Sequence, residues 1–199
     1  MSMRYILIIL ISLLHLVSYA QMKVNDSESE NMIQSVCNAA EEIKSLKCRF
    51  IQTKHLSLLQ TDMTSEGEML YNGGNQLKWE YKSPYLYTFI LNKDKVLLKS
   101  EKNADVIDVR SSRTFQQIAR IMLNSITGKC LVDNDDFNVT MLKDRKAWIA
   151  ELTPKNKGLA KTFDNIKLSI DPEIQMVTSI SLHEKRNRCD HLYHIYFSS

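Results

Sequence analysis

The chain reads as a mainly β protein, a curved antiparallel sheet of about eleven strands lidded by two helices. Three observations carry that reading. Apolar and polar residues alternate in short runs from Leu46 to the C-terminus, with turn-forming residues between the runs. Only two stretches show an apolar stripe at helical spacing. The composition, 44% hydrophobic and 25% charged with five glycines and three prolines in 199 residues, excludes collagen-like, low-complexity and disordered chains. A sheet of that length curls rather than staying flat, and its apolar face needs a cover. Two amphipathic helices are the covers available.

The first segment reads as an address. Arg4 is followed by an apolar run from Tyr5 to Val17, broken by Ser12 and His15, and then by Ser18-Tyr19-Ala20. A basic front, a short apolar run and small residues at the exit predict a cleaved signal peptide over 1–20, with Gln21 as the mature N-terminus. The run is shorter than the roughly 20 residues that span a bilayer. No cysteine follows the small-residue site, so a soluble exported chain without an N-terminal lipid is expected. Residues 21–28 read as a flexible tail and 29–199 as a single domain.

From about Ser29, Met32, Ile33, Val36, Cys37, Ala40 and Ile43 form one helical stripe, with Asp26, Ser27 and Ser29 as candidate caps. Leu46, Cys48 and Phe50 then alternate with polar neighbours. A strand over 63–71 runs into Asn72-Gly73-Gly74-Asn75, a turn signal. Leu77, Trp79 and Tyr81 alternate with Lys78, Glu80 and Lys82, and residues 85–91 are apolar on both faces, which predicts a strand covered on its second side. Short strands follow near 96–100 and 104–109. A second helix starts at Ser111 or Ser112, carries Phe115, Ile118, Ala119, Met122 and Ile126, and ends at Gly128. Strands resume over 137–142, 147–153, 162–170, 176–184 and 191–198. Lys143-Asp144-Arg145, Asn156-Lys157-Gly158, Asp171-Pro172-Glu173 and Arg186-Asn187-Arg188 are the turns between them.

Cys37, Cys48, Cys130 and Cys189 allow two disulfides in an exported chain, in three connectivities, or buried free thiols. Cys37 lies about two turns up its helix, which makes a bridge to Cys48 awkward. No Cys-x-x-Cys, Gly-x-Ser-x-Gly, phosphate-binding loop or His-Glu-x-x-His is present, so the chain is expected to be neither an enzyme nor cofactor-dependent. Asp135-Asp136 and Glu41-Glu42 read as solvated pairs. His191 and His194, three apart on a strand, point to opposite faces, and His183 is expected opposite His191 as a cross-strand pair rather than a metal site. The net charge of +3, with both signs mixed, gives no electrostatic case for nucleic acid.

Several pieces, in order, carry a family resemblance: Phe50-Ile51-Gln52, Gly67-Glu68, Leu77-Lys78-Trp79-Glu80-Tyr81 with Pro84 beyond, Phe115-x-x-Ile118-Ala119, Leu152-Thr153-Pro154-Lys155, and the strand from Phe163 to Ile170. Together, after a signal peptide, they resemble the outer-membrane lipoprotein carrier family, LolA. The resemblance implies a periplasmic protein, mainly β with two or three helices, whose incomplete curved antiparallel β-barrel and helical lid enclose an apolar cavity for lipoprotein acyl chains. It also implies an inner-membrane lipoprotein-releasing transporter as donor and an outer-membrane acceptor as recipient, with the carrier acting as a monomer. One departure stands out. Where family members hold the lid with an arginine before the Trp-bearing strand, this chain has Asn72-Gly73-Gly74-Asn75.

The resemblance implies that Leu77, Trp79 and Ile118 face the cavity. Strand alternation adds Tyr81, Phe50, Phe89 and Trp148 as candidates from neighbouring strands, and the helical stripes add Met122, Val36 and Ala40. A packed core is the competing reading for any such stripe. On the same fold, a glycolipid or polyene intermediate is the alternative ligand, and a non-catalytic envelope interaction module the alternative function.

Overall fold

The structure, a computed structural model, describes residues 21–56, 61–73, 76–93, 95–101, 104–108, 121, 123–132, 135–155, 157–185 and 191–198. The expected leader, the start of the second helix with Ile118 and Met122, and Cys189 lie outside these residues.

Twelve strands form one antiparallel sheet: β1 (Met22–Lys23), β2 (Ser45–Leu56), β3 (Thr61–Asn72), β4 (Gln76–Ser83), β5 (Tyr87–Asn92), β6 (Lys95–Ser100), β7 (Ala104–Asp108), β8 (Phe137–Lys143), β9 (Trp148–Pro154), β10 (Phe163–Asp171), β11 (Met176–Glu184) and β12 (His191–Ser198). Their spatial order is β1-β8-β9-β10-β11-β12-β2-β3-β4-β5-β6-β7. The sheet is open, ending at β1 and β7. Eleven strands of five or more residues match the expected number. β12 pairs with β2 along its full length, His191 opposite Leu56 and Ser198 opposite Arg49, which joins the two halves of the chain at the centre of the sheet. The inner face collects the alternating apolar residues into one continuous core.

Helix α1 (Asp26–Glu41) lies on this face, burying Met32 and Val36. It starts earlier than the stripe suggests. Asn25, rather than any of the three expected caps, takes the N-cap, its Oδ1 accepting the Glu28 N–H at 2.8 Å. The expected tail is ordered as well: Met22 and Lys23 pair with Lys143 and Leu142, and Val24 is buried. A two-residue strand held by main-chain bonds leaves no alternation to read. Gly128 adopts φ +66°, the left-handed end foreseen for the second helix, whose described residues 121 and 123–126 are helical.

Two short helices were not foreseen. They are α2 (Lys129–Val132), which buries Cys130 and Leu131, and α3 (Lys157–Ala160), which replaces the expected turn and buries Leu159. Each is a single turn, too short to show a stripe. The apolar run 85–91 also resolves differently. After the cis Ser83–Pro84 bond, Tyr85 and Leu86 stand exposed on a turn, and the strand begins only at Tyr87. Proline has no N–H for a ladder, so pairing stops there. The β11–β12 register sets His191 opposite Glu184 and His183 opposite Leu192. His183 and His191 are therefore not a cross-strand pair, and His183 shares the outer face with His194.

Candidate functional site

A cavity of about 360 Å³ opens on the inner face, at one end of the central strands. Leu46, Lys47 and Cys48 of β2, Met69 of β3, Met176, Val177, Thr178 and Ile180 of β11, and Phe197 and Ser198 of β12 form its floor and walls. Ile174, in the turn before β11, closes one side, and the helical residues Ser125 and Ile126 lie over it.

The β10–β11 pairing explains why space remains. Ser169 faces Ser179, but Ile170 faces Val177, so Thr178 is an extra residue on β11. Such a bulge twists its strand and displaces the side chains beside it. Thr178 Oγ1 is turned back to the Ser169 carbonyl at 3.3 Å.

The polar groups around the cavity are occupied elsewhere. Ser125 Oγ donates to the Ile121 carbonyl at 2.7 Å, and the Lys47 ammonium lies 3.8 Å from Glu68. Burial pushes the Cys48 thiol up to about 11, so it is neutral and acts as a small apolar group. What the walls present is mostly carbon and sulfur, a surface suited to hydrocarbon.

None of the described sequence candidates is among the lining residues, and Phe50, Trp79 and Tyr81 form a packed cluster next to the cavity. Phe50 stacks on Trp79 with ring centroids 4.3 Å apart and meets Tyr81 edge-on at 5.2 Å. Gly67, between Phe50 and Tyr81 in the register, makes this possible. A Cβ there would collide with the Glu80 carbonyl and lie 2.5 Å from Phe50 Cζ. The Phe-x-Gln of β2 also sets Gln52 on the face of Phe50, where it accepts the Tyr81 hydroxyl at 2.8 Å. Leu77 and Phe89 are core residues, Trp148 is half-buried against that core, Val36 is buried and Ala40 half-buried.

The cavity and the aromatic cluster meet at Met69, which faces Trp79 in the register, and at Phe197, whose ring lies 6.1 Å from Trp79. Val177, Ile180, Phe197 and Ile126 were missing from the sequence candidates as lining residues. Alternation in β11 and β12 and the helical stripe at Ile126 mark them as inward-facing, but not as bordering empty space.

Cys37, Cys48 and Cys130 are free thiols, so neither disulfide is formed among them. Cys37 Sγ lies 3.8 Å from the Gly128 carbonyl, at the contact between α1 and the start of α2. Burial pushes Cys130 up to about 12. The described residues hold no cluster of three or more metal-ligating side chains, and no described helix is long and apolar enough to cross a membrane.

The family model described as "Outer membrane lipoprotein carrier protein LolA" matches residues 41–190. No curated protein sequence matches. Among solved structures, MucB aligns with a TM-score of 0.50 and 10% identity, over 87% of this chain and 58% of its own. A LolA superfamily protein from Nitrosomonas europaea gives 0.45 and 8%, over 86% and 91%. The Mycobacterium tuberculosis lipoprotein LppX gives 0.46 and 9%, over 87% and 95%. Identities this low bear on the fold alone. The family match spans well over half of the sequence, from the end of α1 to the residue before β12, and the chain belongs to the outer membrane lipoprotein carrier family, LolA.

Proposed function

We propose that this protein is an exported carrier. It takes lipoprotein acyl chains from an inner-membrane releasing transporter, shields them in the periplasm, and yields them to an outer-membrane acceptor. The observation that supports the reading most directly is the apolar cavity between the bulged part of the sheet and helical residues Ser125 and Ile126. Its volume is at the lower end of the range of ~300–1,000 Å³ found for ligand pockets. Several long chains therefore enter only as the helical cover moves.

Each methylene buried contributes about 0.8 kcal/mol. Full burial of several chains in a rigid pocket would hold them too tightly for release. A cover that first packs on the sheet reduces the net affinity to a difference of two burials, because the ligand replaces contacts of Ile121 and Ile126. In place of the family arginine, this chain has an amide ladder. Asn72 Nδ2 donates to Gln76 Oε1 at 3.1 Å, and Gln76 Nε2 donates to Asn92 Oδ1 at 3.3 Å. That ladder ties strands to one another, so the closed state rests on apolar packing of the cover. Leu77, Trp79, Tyr81, Phe50 and Phe89 are the layer that chains reach once Met69 yields.

The test is to purify the exported protein from periplasm without detergent and identify bound molecules by mass spectrometry. Acylated peptides or lipoproteins support the proposal. A glycolipid or polyene would redirect it to another cargo on this fold. An empty protein that also excludes acyl probes would leave an interaction module of the envelope.

A further inference from the structure

Trp79 carries a donor that the packed structure does not use. Only 3% of the residue is exposed, yet its Nε1 has no hydrogen-bond acceptor. Two hydroxyls of this region donate elsewhere, Tyr81 to Gln52 Oε1 and Ser125 to the Ile121 carbonyl, and neither accepts from the indole. The rings of Phe50 and Phe197 pack on the indole, and a phenylalanine would serve those contacts without burying an N–H. Trp79 also stands one residue behind the cavity wall. Met69, its register partner, and Phe197 both line the space. A methionine side chain moves aside at little cost.

We propose that Trp79 is the polar anchor of the loaded cavity, its indole N–H donating to the carbonyl oxygen of an acyl ester or amide once Met69 is displaced. The inference rests on the acyl-carrier reading above and adds a selectivity to it. Hydrocarbon alone fills the cavity, but only a chain that carries a carbonyl satisfies the buried donor. Neither other apolar molecules nor ethers, which are weaker acceptors, gain this bond.

The test uses a matched pair of probes, 1-monolauroylglycerol and 1-O-dodecylglycerol, which share a headgroup and differ at the carbonyl. The chain has two tryptophans, so the indole proton signal lost in Trp79→Phe identifies Trp79 in a proton–nitrogen correlation spectrum. The ester should move that signal downfield and bind about fivefold more tightly than the ether, as one neutral hydrogen bond allows. In Trp79→Phe the preference should vanish while both probes still bind. Equal affinities in the wild type, with the indole signal at the same place in both complexes, overturn the inference and leave the carrier reading standing. Should neither probe bind, the carrier reading fails and this inference with it. Because the spectral shift is read on the wild type, a poorly folded variant does not block the decision.

Discussion

Strands β10 and β11 lie side by side, each hydrogen-bonded on both edges, and yet they build opposite kinds of interior. On β10, Ile166, Leu168 and Ile170 are all fully buried, facing Leu152, Ala150 and Trp148 on β9. On β11, only Ile180 is buried, and Met176, Val177 and Thr178 border open space. The backbone pairing is nearly the same. The difference comes from one extra residue, Thr178, and from the residue types around it. Branched aliphatics interlock on β10, whereas around the cavity they are interspersed with methionine, cysteine, serine and threonine. A packed half can supply the stability that lets the other half keep a space its own side chains do not fill.

Variants that perturb each half separately sharpen this contrast. The largest effect is expected at the joint between them. In Gly67→Ala the new methyl meets the Glu80 backbone carbonyl and the Phe50 ring, so either β3–β4 pairing or the aromatic cluster must give way. This variant should lose most of its folding stability, by analogy with severe overpacking, and urea unfolding measures it.

Next is Leu168→Ala, a truncation in the packed half. It should cost about 2–5 kcal/mol in urea unfolding and leave the affinity for a fluorescent acyl probe unchanged. Ile126→Trp should do the reverse. Its indole fills the cavity, so probe binding should weaken at least about tenfold while stability changes by only about 1–3 kcal/mol. If Leu168→Ala weakened binding as much as Ile126→Trp, the two halves would not be separable.

A further effect is set by pH. Burial raises Cys48 to about 11 and Cys130 to about 12, above the value of 9.0 for a free thiol. Above pH 9 the unfolded chain gives up these protons while the folded chain keeps them. The contribution to stability is therefore complete below pH 9 and declines as pH rises toward 11–12. Urea midpoints between pH 7.5 and pH 10.5 should fall, and Cys48→Ala with Cys130→Ala should flatten the slope.

Much of the scaffold is legible in the sequence because alternation survives wherever one face is buried. Leu77-Lys78-Trp79-Glu80-Tyr81 reads as β4 at sight, and Phe50-Ile51-Gln52 places a ring and an amide on one face, which the Tyr81–Gln52 hydrogen bond matches. The cavity is less legible, for two physical reasons. A large aromatic stripe looks like a binding surface, but the absent side chain at Gly67 lets Phe50 lie over it and close the cluster. The space depends instead on the Thr178 bulge, which is a relation between strands rather than a pattern along one. The same limit hid β1, whose two residues are held by main-chain bonds to β8.

The central claim is that acyl chains lodge on the β11–β12–β2–β3 side of the inner face and not among the packed aliphatics of β10. Paramagnetic relaxation by 16-doxyl-stearic acid measures this directly. The account predicts strong broadening of the amides of Met69, Thr178, Ile180 and Phe197, with those of Ile166 and Leu168 little affected. Broadening centred on β9 and β10, or spread evenly over the outer face, would contradict it.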